Sequence, residues 1–381
     1  MKVGFLFNHE ALHQINHSAP IIVELLRYSR VGVTVLTSTL EQETAVRSLL
    51  GGESAGVDFV RLAIGRTARG LDATLNWVVP FRRIAVLREN LAAFAALDVL
   101  VVPETTSLLL RDRFGLRDLK MVWIPHGAGD RSVGYRSVMR GFDLVLLSGP
   151  KVRDRMLTAK LITPATHEII GYPKFDAIDA DAPLPQLFEQ DRPTVLYNPH
   201  FEPRLSSWYT MGEQIVEWFA QQDRYNLIVS PHVMLFQRRL HASVEHRQMR
   251  WRRALPEHLL HLPNVLVDTG SARSVDMTYT RSADIYLGDV SSQIYEWIVR
   301  PRPAIFLNPL HVDWVGNPDF AHWRLGAVVD QVAHLPEALD HATAHPGQYR
   351  SAQEQALRDT FDVTDRSASS RAAEAIVRRF C

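Results

Sequence analysis

The chain has 381 residues, 46% of them hydrophobic and 22% charged, with 42 Lys+Arg balanced by 42 Asp+Glu. These are ordinary globular values for a length that favours two domains, each with its own core. Zero net charge argues against a general nucleic-acid binder and leaves room for a local basic patch, and the only cysteine, Cys381, excludes disulfides and Cys-based zinc sites. The N-terminal run Met1–Phe7 is strand-like and soon meets His9 and Glu10, so it does not read as a signal peptide. No apolar run approaches the ~20 residues needed to span a bilayer. The expectation is a cytoplasmic protein, at most peripheral to the inner face of the membrane.

Short apolar runs alternate with helical patterns, the signature of βα units and parallel sheets. Strands are predicted at Val3–Phe7, Val31–Thr37, Val57–Leu62, Asp98–Pro103, Lys120–Ile124, Phe142–Leu147 and Thr166–Ile170. Helices are predicted at Ser18–Tyr28, from about Glu41, through Arg82–Ala95 and around Lys151–Ala159, while Gly65 and Gly70 make the Arg66–Trp77 region a loop. Residues 181–193 combine prolines with small and acidic residues and show no period, which reads as a linker. The domains are therefore expected at 1–180 and 194–381, with the final helix free to pack back on the first. A second series follows, with strands at Thr194–Tyr197, Asn226–Val229, Val265–Asp268, Ile285–Leu287, Ala304–Leu307 and Ala327–Asp330. Helices are expected at Tyr209–Ala220, Val275–Thr280 and through the C-terminal remainder. The predicted fold class is α/β, two Rossmann-like, doubly wound parallel-sheet domains with ligands at strand C-termini in a cleft between them.

Collecting the strand ends gives His126, His200, His232 and Asp289, the positions where such folds put their sites. His126, within Trp123-Ile124-Pro125-His126-Gly127-Ala128-Gly129-Asp130-Arg131, suits a general base on an acceptor hydroxyl, since its pKa lies near working pH. The glycines allow a substrate to approach the backbone. His232, after Ser230-Pro231, suits the donor side, where an imidazole can hydrogen-bond or protonate a leaving phosphate. In Ile285-Tyr286-Leu287-Gly288-Asp289-Val290-Ser291-Ser292 a strand hands over to a helix N-terminus, a setting for phosphate, although Asp289 and Ser291 can equally cap that helix. Glu296 follows one to two turns on, and Arg300 and Arg302 are candidates for positive charge near the phosphates. Dinucleotide-binding glycines, a phosphate loop, a Gly-x-Ser-x-Gly elbow and His-Glu-x-x-His are absent. The spacing of His and carboxylates supports no metal site; His9, His13 and His17 step by four, but the strand just before them favours a loop for His9. His17-Ser18-Ala19-Pro20 reads instead as an acceptor-side or hinge-facing element.

His126-Gly127, then Gly171-Tyr172-Pro173-Lys174-Phe175-Asp176, Leu196-Tyr197-Asn198-Pro199, His232 and Asp289-Val290-Ser291-Ser292 with Glu296 and Arg302-Pro303 occur in an order that resembles the CDP-glycerol glycerophosphotransferase family. These are GT-B-fold polymerases and primases of teichoic-acid-type polymers, and the resemblance covers about residues 120–310. It implies a GT-B fold and transfer of glycerol phosphate, or of a glycosyl group, from a nucleotide-activated donor such as CDP-glycerol to a hydroxyl acceptor, lipid-linked or polymeric. It further implies His126 as base and His232 at the donor phosphates. Asp289, Ser291 and Ser292 would cradle the diphosphate, with Glu296 at the ribose and Arg302 and His200 nearby. The donor is a substrate, and no tightly bound cofactor, metal or nucleic acid is expected. The chain departs from the family at Gly288 and Val290, where Thr and Tyr are usual, and at Pro231 and Val233 around the second histidine. A fainter likeness joins His126-Gly127-Ala128-Gly129-Asp130-Arg131 to the His-x-Glu-Ala-Gly-x-Arg stretch of UDP-N-acetylglucosamine 2-epimerases, without its glutamate. A nucleotide- or glycan-binding protein that kept the fold and lost the chemistry is the non-enzymatic alternative.

Overall fold

A computed structural model describes residues 1–8, 12–65, 81–125, 127–130, 136–243 and 247–381. The chain forms two compact units. Unit 1 gathers Met1–Ala128, Val133–Asp179 and Arg358–Cys381, and unit 2 gathers Gly129–Ser132 and Ala180–Leu357.

Among its described residues unit 1 carries seven strands: β1 (Lys2–Phe7), β2 (Gly32–Thr37), β3 (Asp58–Arg61), β4 (Val99–Val102), β5 (Lys120–Trp123), β6 (Leu144–Leu147) and β7 (His167–Ile169). They form one parallel sheet in the order β3-β2-β1-β4-β5-β6-β7. Period-two alternation sends Val3, Phe5 and Phe7 of β1 into one core, with Ile21, Ile22, Leu25, Ala372 and Ile376, while Leu6 enters the core on the opposite face. The helix after β2, Leu40–Leu50, opens on a capping box in which Thr39 and Gln42 each accept the other's backbone N–H. The single helix expected over Arg82–Ala95 is two, Phe81–Glu89 and Leu91–Ala95. Asn90 divides them by donating to the Val86 and Ala63 carbonyls, both at 2.8 Å, a side chain competing with the helical ladder.

The final helix, Ala368–Phe380, belongs to unit 1. Asp176 accepts from the Ser369 N–H and hydroxyl at 2.7 and 2.6 Å, and Arg371 donates to the Ile169 carbonyl at 2.9 Å. The returning chain also explains Gly149, since a Cβ there would lie 2.5 Å from the Thr360 carbonyl oxygen.

Unit 2 carries β8 (Thr194–Asn198), β9 (Asn226–Val229), β10 (Leu240–Ser243), β11 (Gln248–Trp251), β12 (Val265–Val267), β13 (Ile285–Gly288), β14 (Ala304–Leu307) and β15 (Ala327–Val329). Six of them form a parallel sheet in the order β12-β9-β8-β13-β14-β15, and β10 and β11 pair separately as an antiparallel hairpin. The helix expected over Val275–Thr280 is broken at Met277, whose φ of +68° separates a turn at Ala272–Ser274 from a helix at Thr278–Ser282. Strand order reverses between β1 and β4 in unit 1 and between β8 and β13 in unit 2, the switch points at which doubly wound sheets open a crevice. Among the described residues no helix is long and apolar enough to cross a membrane.

Candidate functional site at the switch point of unit 2

β8 ends at Asn198 and β13 at Gly288, side by side in the sheet. Tyr286 donates through its hydroxyl to the Asn198 side-chain oxygen at 3.2 Å, and the Asn198 amide donates to the Ser230 carbonyl at 2.6 Å. That geometry accounts for Gly288, where the resembling family has threonine. A Cβ at 288 would lie 2.6 Å from the Tyr286 ring, which its hydrogen bond holds in place.

Asp289 is fully buried. One carboxylate oxygen accepts from the N–H of His200 at 2.9 Å and of Val290 at 2.7 Å. The other accepts from the Ser207 N–H at 2.7 Å and its hydroxyl at 2.9 Å, which leaves the Ser207 oxygen to accept from Tyr197. This bonding corrects the expectation that Asp289 caps the helix: its two carboxylate oxygens are taken up by these four donors instead. It fastens the loop after β8, residues 199–207, to the end of β13. The helix beyond, Gln293–Trp297, is only five residues, too short to sum a large dipole at its N-terminus. Ser291 accepts from the Gln293 N–H, Ser292 is exposed at the N-cap position without a side-chain cap bond, and Glu296 is buried in the first turn. Gly129 runs close to Ser292, a Cβ on it falling 3.4 Å from the Ser292 Cβ.

The fastened loop sets the histidines. The His200 ring accepts the Glu202 N–H at 3.0 Å, stacks on Phe201 with centroids 4.5 Å apart, and lies 5.2 Å from the His232 ring. His232 is half-buried and is held by its own N–H donating to the Pro199 carbonyl at 3.0 Å. The structure thus brings His200, His232 and Asp289 together at one switch point. The Ser230 hydroxyl and one Glu202 carboxylate oxygen, both buried, have no partner among the described residues. Such groups normally find one, so they mark places for a ligand or water.

Burial pushes the Asp289 carboxyl up from 3.8 to about 6, against the opposing pull of the Ser207 and His200 donors. The folded chain therefore holds this proton more tightly than the unfolded chain. The stability involved is fully present below about pH 4 and is lost as pH rises through about 6, roughly 3 kcal/mol in all. Scanning calorimetry across that window should show a falling midpoint whose slope disappears in Asp289→Asn. The same slope in the variant would assign the titration to another group.

Three further features were not signalled by local sequence. Asp130, buried within unit 2, accepts from the Tyr295 hydroxyl at 2.6 Å and meets His322 Nδ1 at 2.9 Å, and Trp323 donates to the Asp289 carbonyl at 3.0 Å. Past the ends of β14 and β15, Asn308, His311, Trp314, Trp323, Asp330 and Tyr349 line a cleft of about 640 Å³. His311 there has a φ of +51°, a strained value for a residue with a Cβ, on a turn braced by Asn308 accepting from Val312 at 2.8 Å. In unit 1, Asn8 follows β1, and both ends of its buried amide lack a partner among the described residues.

Arg302 is a correction. It precedes β14, so it sits at the opposite edge of the sheet from Asp289, roughly 17 Å away along five residue steps of strand. Its guanidinium donates to the carbonyls of Thr280 at 2.6 Å, Arg300 at 3.1 Å, Trp297 at 3.3 Å and Ala283, and lies 3.6 Å from the centre of the Trp297 ring. Arg300 donates to the Arg281 carbonyl near the same edge. His126 and His9 lie outside the described residues. His17 is buried with its ring edge-on to Tyr172, at 5.1 Å, just before the helix Ala19–Leu25.

No family model matches the chain, and no curated protein does. Solved structures do. The glycotransferase of kitacinnamycin aligns with 100% of this chain and 99% of its own at a TM-score of 0.60 and 14% identity. The UDP-GlcNAc 2-epimerase from Neisseria meningitidis, bound to UDP-GlcNAc, aligns with 100% of this chain and 99% of its own at 0.59 and 15%. A variant of the wall teichoic acid polymerase TagF aligns with 100% of this chain and 89% of its own at 0.61 and 11%. Identities this low speak for the fold alone. With two doubly wound parallel-sheet units, this chain has the GT-B fold.

Proposed function

We propose that the chain is a nucleotide-dependent transferase that moves glycerol phosphate, or a glycosyl group, from a nucleotide-activated donor to a hydroxyl acceptor. The observation that carries this reading is the pairing of His200 and His232, 5.2 Å apart at the switch point of unit 2, beside the unpartnered Ser230 hydroxyl and Glu202 carboxylate oxygen. The donor's nucleotide is assigned to this unit, with Ser291, Ser292 and Glu296 beside the phosphates and ribose. The transferred group occupies the cleft beyond β14 and β15, whose volume and mixed aromatic and polar lining suit a polyol or sugar. Asp289 is a positioning residue, and Arg302 has no part in donor binding.

In the chemistry proposed, His126 removes the proton of the acceptor hydroxyl. The oxygen then attacks the phosphorus of the glycerol phosphate, or the anomeric carbon of a sugar. The bond to the nucleotide breaks, and the electron pair leaves on its phosphate, where His232 donates a hydrogen bond. Asn8, with its unpartnered buried amide at the end of β1, is the candidate on unit 1 for holding the acceptor. The cytoplasm, where nucleotide-activated donors are made, is the proposed place of action.

The test is a screen of CDP-glycerol, UDP-sugars and CMP-sugars by thermal shift and by release of the nucleotide. One donor class should raise the midpoint and, with a hydroxyl acceptor, release CMP or UDP in step with transfer. Interconversion of a UDP-sugar without any acceptor would assign the epimerase chemistry of one structural neighbour instead. Absence of both shift and turnover with every donor overturns the proposal.

A further inference from the structure

The β10–β11 hairpin stands outside both parallel sheets, and its two faces differ sharply. Leu240 pairs with Trp251 and Ala242 with Met249. The period of two puts these four apolar residues on one face. Met249 is 67% exposed and Trp251 62% exposed, Ala242 is exposed and Leu240 half-exposed. The opposite face is the anchored one. His241 and Ser243 are buried, and His241 Nε2 lies 3.0 Å from the carbonyls of both Leu235 and Arg238. Arg252 is buried over the Phe236 ring at 4.2 Å and donates to the Arg253 carbonyl at 3.3 Å. The apolar face is therefore turned to solvent by the packing beneath it.

Charge says what kind of surface would cover this face. Arg238, Arg239 and Arg253 at one end and Arg247 at the other are all exposed and flank it, while Arg250, paired with His241, is exposed on the other side of the ribbon. Between residues 237 and 253 the sequence holds a single acidic residue, Glu245. A chain with no net charge has concentrated positive charge around an exposed tryptophan and methionine. A second copy of the chain would set arginines against arginines, which is unfavourable. A purely phosphate-bearing polymer would satisfy the arginines and leave the apolar face wet. A bilayer with anionic lipids satisfies both: tryptophan sits well at the headgroup level, and arginines meet lipid phosphates around it.

We propose that the β10–β11 hairpin is a membrane-interface wedge, seating its Leu240, Ala242, Met249 and Trp251 face among the headgroups of an anionic bilayer with Arg238, Arg239, Arg247 and Arg253 on lipid phosphates. This assignment is independent of the transferase reading, since it needs no nucleotide site.

The test uses the full chain in cosedimentation with vesicles of phosphatidylcholine alone or with about a quarter phosphatidylglycerol. The chain should sediment with the anionic vesicles and remain in solution with the neutral ones. Met249→Ser with Trp251→Ser should weaken that binding roughly tenfold and remove the part that survives high salt. Arg238→Gln, Arg239→Gln and Arg253→Gln together should weaken it roughly a hundredfold at low salt. All five substitutions are at exposed positions, so unchanged thermal midpoints will show that the variants fold. Failure to sediment with anionic vesicles, or equal sedimentation of the variants, overturns the proposal. So does a dimer that the Met249/Trp251 variant abolishes, or an anionic polymer that competes while the apolar variant binds vesicles normally.

Discussion

Replacing Arg302 by alanine is expected to destabilise unit 2 by about 3–5 kcal/mol, seen as a lower urea midpoint, while leaving nucleotide affinity of the folded protein unchanged. The guanidinium donates to four carbonyls and stacks on the fully buried Trp297. A charged hydrogen bond is worth about 1.5–3 kcal/mol and a desolvated cation–π contact about 2, and these do not add in full. Burial pulls the guanidinium below its ordinary pKa, a sign of how little water remains around it. Gln353 closes the same corner, accepting from the Arg302 N–H at 3.0 Å and donating to its carbonyl at 2.8 Å. Arg302→Lys should recover only a minor part of the loss, because one ammonium cannot reproduce the planar fork. An unchanged midpoint together with weakened donor binding would restore the phosphate role read from the sequence.

His126→Ala is expected to lower turnover by about 10²–10⁴-fold with donor affinity retained, the range of a lost general base. His232→Ala should act differently, weakening donor binding and turnover together, since its proposed contact is to the phosphate in ground and transition states alike. Full activity in His126→Ala would remove it from the mechanism and shift attention to the His200–His232 pair.

Both switch-point histidines were visible as residues following apolar strands, because strand ends are a local property of the chain. Their mutual distance was not, since β8 and β9 become neighbours only in the sheet. Asp289 shows the same division. Its position after β13 could be read directly, whereas its bonds come from Ser207 and His200, 82 and 89 residues away in sequence. Asp130 is a stronger case, with partners 165 and 192 residues distant. Arg302 could have been placed better from the sequence. It precedes a parallel strand that Asp289's strand adjoins, so the two belong to opposite edges of the sheet. The hairpin also left a signal, the alternation of Leu240 with Ala242 and of Met249 with Trp251, hidden among the arginines.

The sequence by itself determined the α/β class and the positions of the parallel strands, because short, mostly apolar runs between turn residues encode most of them locally. It determined too that histidines and an acidic residue would stand at strand ends. Tertiary structure alone decided what those residues do. A carboxylate that local rules offer to a helix cap or a ligand is consumed by four buried donors, because leaving backbone N–H groups unpaired in a core is costly. An arginine free to meet a phosphate is spent on carbonyls, and a basic hairpin is turned apolar face outward. In each case the outcome depends on which distant segments arrive beside the residue and whether they leave it any water.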